Sequence, residues 1–267
     1  MPNASTVVAT TERSTNPDDY QDVPRPIAAM AKDFPDGNQV APHRHRRAQL
    51  VYAVRGVMVV WTEEGTWVVP PNRAVWMPAE TEHAIRSWGN VAMRTLYVRA
   101  DLASSLPRQC CVIAVSPLLR ELILRAVELP LLYDEGGPDG RVMGLVLDEI
   151  RALPALPLHL PWPEDARLRR LCAAIQADPA SERTLEQWAE GVGASSRTLA
   201  RLFRKETGMS FGAWRQQVRL VDALGRLATG QKVTAVALDL GYQSPSAFTS
   251  MFRRALGQAP TRYFLES

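Results

Sequence analysis

Residues 184–208, TLEQWAEGVGASSRTLARLFRKETG, and residues 233–257, VTAVALDLGYQSPSAFTSMFRRALG, are two copies of one pattern, and reading them as copies decides the fold of the C-terminal part of the chain. Ala189 aligns with Ala237 and Gly193 with Gly241. After one extra residue in the second turn, Leu199 aligns with Phe248, Phe203 with Phe252, Arg204 with Arg253 and Gly208 with Gly257. Each copy has a short helix with one apolar face, a small residue where two helices cross, a glycine turn, a Ser-rich helix start and a helix with a polar outer face. That is the layout of a helix-turn-helix, here over about residues 184–205 and 232–255. One copy alone reads equally well as an ordinary helical hairpin. Two in register favour a DNA-binding domain over residues 164–267.

Charge points the same way. Residues 164–267 carry 15 Lys and Arg against 10 Asp and Glu, and the rest of the chain 16 against 18. The basic part is therefore the one expected to meet a polyanion, double-stranded DNA at a promoter or operator. Between the copies, FGAWRQQVRLVDALGRLATG (211–230) has the apolar spacing of one amphipathic helix bearing Val218, Leu220, Val221, Leu224 and Leu227. At 1.5 Å per residue, about 18 helical residues span about 27 Å. Successive major grooves on one face of DNA lie about 34 Å apart, so such a spacer can present two reading helices to adjacent turns.

Residues 164–264 closely resemble the DNA-binding domain of AraC/XylS-type transcriptional regulators, above all in SSRTLARLFRKETGMSF (195–211) and DLGYQSPSAFTSMFRRALGQAPTRY (239–263). The resemblance implies that the second helix of each copy enters the major groove. It puts Arg197, Ala200 and Arg201 toward the bases in the first copy, and Ser246, Ala247, Thr249 and Ser250 in the second. The second set departs from expectation in holding only small side chains. Arg197 and Arg201, four apart on one helix face, can each give two hydrogen bonds to guanine O6 and N7. Ser195, Arg204, Ser244 and Arg253 are placed for phosphate contacts, which position a protein without reading sequence. Leu199, Leu202, Phe203, Phe248 and Phe252 are expected in the core.

Upstream the pattern differs. Residues 1–23 are polar and aperiodic and read as disordered. Over 24–115, short β-rich runs (QLVYAV, GVMVVWT, TWVVP, AVWMP, HAIRSW, VAMRTLYV, CVIAV) alternate with turn signals such as EEGT, PPN, MPAETE and WGN, the signature of a small antiparallel barrel or sandwich. Residues 116–153 turn helical. Ser116 can cap a helix with Pro117 at its first position, and a second helix runs through GRVMGLVLDEIRAL. These two helices are expected to pack on the barrel and to supply a homodimer contact. The proline-rich stretch 154–163 reads as an extended linker with His159 in solvent. The expected fold is thus two-domain: an all-β barrel followed by helices, then an all-α domain.

Within the barrel, HRHRRAQ (43–49) sets His43 and His45 on one side of a strand, since side chains two apart point the same way. Gln49 and Gly56 complete H-x-H-x3-Q-x6-G, and His83 follows GTWVVPPNRAVWMPAETE. The order is similar to the two cupin motifs, with Gln in the place of the usual Glu and the second motif's glycine missing near Arg73. The cupin resemblance implies either a divalent metal site (zinc, iron or nickel) at His43, His45, Gln49 and His83, or a metal-free polar pocket for a small-molecule effector. An amide oxygen brings no charge, which weakens the first option. Trp61, Trp67, Trp76, Trp88, Tyr52 and Tyr97 are candidates for the barrel's walls.

The chain contains no apolar run of the ~18 residues needed to span a membrane, and its N-terminal stretch lacks the apolar core of a secretory signal. A cytoplasmic location is expected. Cys110, Cys111 and Cys172 include no C-x-x-C and read as reduced thiols. No G-x-S-x-G, P-loop or G-x-G-x-x-G suggests catalysis. The functional expectation is therefore a non-enzymatic, one-component transcriptional regulator, with RNA polymerase as a further candidate partner. The alternative is a cupin metalloenzyme with an accessory nucleic-acid-binding domain.

Overall fold

The structure, a computed structural model, describes residues 13–152, 155–156 and 158–264. The N-terminal part is one antiparallel nine-stranded sheet: β1 (Ile27–Phe34), β2 (Gln39–His43), β3 (Ala48–Thr62), β4 (Gly65–Val69), β5 (Arg73–Met77), β6 (His83–Val98), β7 (Cys111–Ala114), β8 (Ala155–Leu156) and β9 (His159–Pro161). Its backbone order is β1-β6-β3-β5-β7-β8, with β2 on β6 and β4 between β3 and β9.

Two pairs of expected strands are single long ones. QLVYAV and GVMVVWT both lie in β3, and HAIRSW and VAMRTLYV both lie in β6. Gly89 of the WGN turn signal, and Gly56 at the start of GVMVVWT, sit at irregularities inside these strands. Gly56 (φ +78°) and Gly89 (φ +69°) adopt the left-handed region, and the β3–β6 register slips between Ala53 and Val57. A bulge of this kind bends a strand without ending it.

Both faces of the sheet are covered, which is why QLVYAV shows no polar alternation. Leu50, Tyr52, Trp76 and Leu96 pack against α1 (Pro117–Ala126) and α2 (Pro138–Ala152) through Leu119, Ile123, Met143, Val146 and Ile150. Ser116 caps α1 as expected, accepting from the Leu119 amide at 3.0 Å. The opposite side chains, among them Met30, Val51, Trp67 and Tyr97, fill the interior.

Two expectations about irregular segments need correction. Residues 1–12 lie outside the described part, but 13–23 are ordered: Arg13 Nη1 donates to the Ala29 carbonyl at 3.0 Å, and Tyr20 is buried against Tyr97, ring centroids 5.8 Å apart. The stretch 154–163 is not a free linker, because β8 pairs with β7 and β9 with β4. Pro161 is tolerated because β9 is an edge strand, where one missing donor costs nothing. His159 is correspondingly not a solvated loop residue; it stacks flat on Trp67 at 4.3 Å, and burial pushes its pKa down.

The C-terminal part is helical: α3 (Ala166–Ala177), α4 (Leu185–Val192), α5 (Ser196–Thr207), α6 (Phe211–Ala228), α7 (Val233–Asp239), α8 (Pro245–Leu256) and α9 (Pro260–Tyr263). The turn glycines aligned by the repeat are left-handed in both copies, Gly193 at φ +67° and Gly241 at φ +74°. The spacer α6 is 18 residues long and serves two cores. Trp214 and Val218 pack with α3, α4 and α5, while Leu220, Leu224 and Leu227 join α7, α8 and the interior side of the sheet. The same helix docks on β6. The Trp88 ring occupies the space where Gly225 lacks a Cβ, and the Ala228 carbonyl lies 2.6 Å from where a Cβ on Gly89 would stand.

Candidate functional site

The second helix of the first copy, α5, is capped by Ser195, whose hydroxyl accepts from the Thr198 amide at 3.2 Å, satisfying one of the helix's free donors. Leu199 and Phe203 are fully buried, and this fixes the opposite face outward. Arg197, Ala200, Arg201 and Arg204 are exposed on that face, and none of the three arginines enters an ion pair among the described residues. In α8 the cap is Ser244, accepting from Ala247 at 3.2 Å, and Phe248 and Phe252 are buried. Ser246, Ala247, Ser250 and Arg253 are exposed, and Thr249 is half-buried. Arg254, which the repeat alignment passes over, flanks the same shallow groove. Leu202, expected in the core, is only partly buried against it. Ser195 and Ser244 thus act as helix caps in this structure, each with a hydroxyl at the helix start where a phosphate would also sit.

A second constellation lies in the sheet domain. One potential ligand atom from each of His43, His45 and His83 falls within 4.8 Å of the others. The expectation that His43 and His45 share one strand needs correction: β2 ends at His43 and His45 stands in the loop that follows, while β2–β6 pairing brings His43 opposite His83 in register. His43 Nδ1 is 2.8 Å from the Ala41 carbonyl and His83 Nδ1 is 2.9 Å from the Thr81 carbonyl. A carbonyl can only accept, so each Nδ1 carries the hydrogen and each Nε2 keeps its lone pair. His83 Nε2 and both ring nitrogens of His45 are buried without a partner. Burial, with His43 nearby, pushes the His45 pKa down to about 4. Burial does the same at His83, also to about 4, against the opposing Thr81 hydrogen bond. Both are neutral near pH 7, the form that can coordinate.

Gln49 is buried beside this cluster. Its amide nitrogen donates to Thr95 Oγ1 at 3.0 Å and to the Tyr97 hydroxyl at 3.4 Å, leaving Oε1 buried with no partner. Tyr97 links the two, its ring edge-on to His45 at 5.2 Å. Thr95 belongs to this pocket although nothing in its sequence context marks it. Of the aromatic wall candidates, Trp67 and Tyr97 face the interior. Tyr52 and Trp76 face α1 and α2, Trp61 is partly exposed, and Trp88 meets α6.

The three imidazole nitrogens of His43, His45 and His83 fit a divalent cation, with the backbone carbonyls at Ala41 and Thr81 orienting two of the rings, and Gln49 is tied to the cluster through Tyr97. All three cysteines are free, and burial pushes their pKa values up, so none has thiolate character.

A β-sheet domain with a buried polar cluster, joined to two helix-turn-helix units, defines a ligand-responsive transcriptional regulator. Residues 30–192 match the AraC-like ligand binding domain and residues 188–265 a helix-turn-helix domain. The chain belongs to the AraC family of transcriptional regulators. It is 38% identical over 221 residues to the HTH-type transcriptional regulator NimR of Escherichia coli K12, covering 83% of this chain and 81% of that one. The HTH-type transcriptional regulator RipA of Corynebacterium glutamicum is 36% identical over 103 residues, 39% of this chain and 31% of its own. A crystal structure of ToxT from Vibrio cholerae with an unsaturated fatty acid bound covers 90% of this chain and 95% of its own, at 12% identity and a TM-score of 0.39.

Proposed function

We propose that this regulator reads its promoter asymmetrically. In this reading Arg197 and Arg201 of α5 contact guanines, Ala200 packs beside them, and the small side chains of α8 (Ser246, Ala247, Thr249, Ser250) fit the next groove with little base discrimination. Ser195, Arg204, Ser244 and Arg253 hold phosphates. The observation that carries the reading is the exposed pair of arginines on α5, whose guanidinium groups have no ion-pair partner among the described residues. Genome-wide mapping of bound fragments would test it. The sites are expected to show a G-containing element on one side and a weakly specified one a helical turn away.

The histidine pocket is the proposed sensor. Buried imidazole nitrogens without partners favour a divalent metal (zinc, iron or nickel) held by His43, His45, His83 and the Gln49 amide oxygen over a metal-free polar pocket. When bound, such an ion would supply a positive charge to which an effector's oxygen can add. Metal content of the purified full-length protein is expected to be near stoichiometric, lost in His45→Ala and tightened in Gln49→Glu. Metal absent from wild type and from Gln49→Glu alike, with zinc, iron and nickel offered, leaves the pocket as an effector wall.

Assembly belongs to the same reading. Leu118 of α1 is 49% exposed and Leu145 of α2 42%, on the helices that cover the sheet. A homodimer through these helices would bury both, and sedimentation of Leu118→Glu/Leu145→Glu as a monomer beside a dimeric wild type tests it. We place the protein in the cytoplasm with RNA polymerase as a further partner and assign it no catalytic activity. No helix among the described residues is long and apolar enough to cross a membrane.

A further inference from the structure

The two helix-turn-helix units share one support, α6, but their cores on it are separate: Trp214 and Val218 serve the first, and Leu220, Leu224 and Leu227 the second. A helix that carries one body on each half sets their separation, at about 1.5 Å per residue. To stop one body from rocking against the other, a further contact between them is needed.

That contact runs through Arg219. From the middle of α6 its Nε donates to the Pro179 carbonyl at 2.8 Å and its Nη2 to the carbonyls of Ala180 at 3.3 Å and Ser181 at 3.5 Å, all in the loop between α3 and α4. One turn earlier Arg215 holds the same loop, donating to the Arg183 carbonyl at 3.3 Å. The Arg219 guanidinium carbon also lies 5.5 Å from the centroid of the Tyr242 ring, and Tyr242 stands edge-on to the buried Phe248 of α8 at 5.4 Å. The backbones meet here too. A Cβ on Gly241 would come to 3.0 Å from the Ala180 carbonyl oxygen and 3.4 Å from Arg219 Nη2. One side chain thus touches both the loop that leads into the first copy and the turn between the helices of the second.

The residue type matters. A planar guanidinium can aim hydrogens at several carbonyls while its face stays free for a ring, which the compact ammonium of lysine cannot do. Burial, with Arg215 beside it, works against the charge, a cost that a freely solvated arginine would not carry.

We propose that Arg219 is a positioning residue for DNA binding: it locks the α3–α4 loop to the α7–α8 turn, and so holds α8 at the angle at which it meets the DNA backbone while α5 occupies the neighbouring groove. The inference rests on both copies meeting the same DNA, not on which of them reads bases.

Hydroxyl-radical footprinting of the full-length protein, on a fragment that the wild type selects from random DNA, tests the proposal. Wild type is expected to protect two backbone patches about 10 base pairs apart, one under each copy. Arg219→Met keeps the apolar stem and removes the fork. It should retain the first patch and weaken the second at least about threefold, less than the share of one hydrogen bond to a charged group. Arg219→Lys keeps the charge and should restore the second patch only in part. Should Arg219→Met fail to fold, the lysine variant decides alone, because a shortfall confined to the second patch is the result expected of it. Full restoration by lysine would mean that Arg219 acts as a charge on phosphate, and would overturn the proposal. Two patches at wild-type depth in Arg219→Met, equal weakening of both patches, or a single patch in the wild type would overturn it as well. If the selected fragments lack a G-containing element, the asymmetric reading fails while this test stands.

Discussion

The two helix-turn-helix copies share a fold and differ in nearly everything laid over it. The first closes mainly over its own helices: α4 opens with a full capping box between Thr184 and Gln187, and its core joins α3, α5 and Trp214 and meets the sheet at the short edge strand β9, through Leu160 and the Trp214 Nε1 bond to the Pro161 carbonyl. The second opens on Lys232, which makes no side-chain cap, and its core of Phe248, Phe252 and Leu224 runs on into the sheet domain. The first carries arginines on the exposed face of α5 and the second serines and alanine on that of α8. The difference suits the division of labour proposed above: a copy anchored mainly on its own helices to discriminate bases, and a copy packed broadly on the sensor's sheet to follow the groove.

Core truncation should break the comparison most visibly. Phe203 and Phe252 are both fully buried, and replacing either with Ala should cost about 3–5 kcal/mol by denaturant unfolding. Hydrogen exchange should separate them: Phe252→Ala should loosen β6 around Trp88, and Phe203→Ala should leave β6 protected. Equal loosening by both would mean the first copy is no more independent than the second.

Overpacking the domain junction comes next. A Cβ at Gly225 has no room beside the Trp88 ring, so Gly225→Ala should cost about 1–3 kcal/mol and expose Trp88 to a fluorescence quencher. Trp88→Ala in the same chain should cancel most of that increment, since it removes the clash. A fully additive double mutant would place the cost elsewhere than at this contact.

The smallest effects concern the helix starts. Thr184→Ala should destabilise by about 1 kcal/mol, whereas Lys232→Thr should stabilise by up to about 1 kcal/mol by giving α7 the cap it lacks. Thermal melts that show both changes to be neutral would remove capping as a difference between the copies.

Much of this was legible in the sequence because it is local. The glycines at 193 and 241, the cap at Ser116 and the Ser-rich helix starts at Ser195 and Ser244 follow from backbone conformation and residue spacing, which a short window contains. What escaped is tertiary. Gly89 reads as a turn because a positive φ serves a turn and a bulge alike, and only the partner strand shows which. The proline-rich stretch read as a linker because β4, which pairs with β9, lies far away in sequence. Thr95 and Tyr97 enter the polar pocket through β3–β6 register, and Gly225 matters only because Trp88 is across from it.

The central claim, that the first copy reads bases and the second does not, is tested most directly by selecting binding sites from random DNA with wild type, with Arg197→Ala/Arg201→Ala, and with Ser246→Ala/Thr249→Ala/Ser250→Ala. Loss of the arginine pair should cost about 1–3 kcal/mol per guanine contact and erase the preference in one half-site only, while the α8 triple variant should select nearly the wild-type sequence. Sequence preference lost to the same extent in the α8 variant, or retained in the arginine variant, would contradict the account.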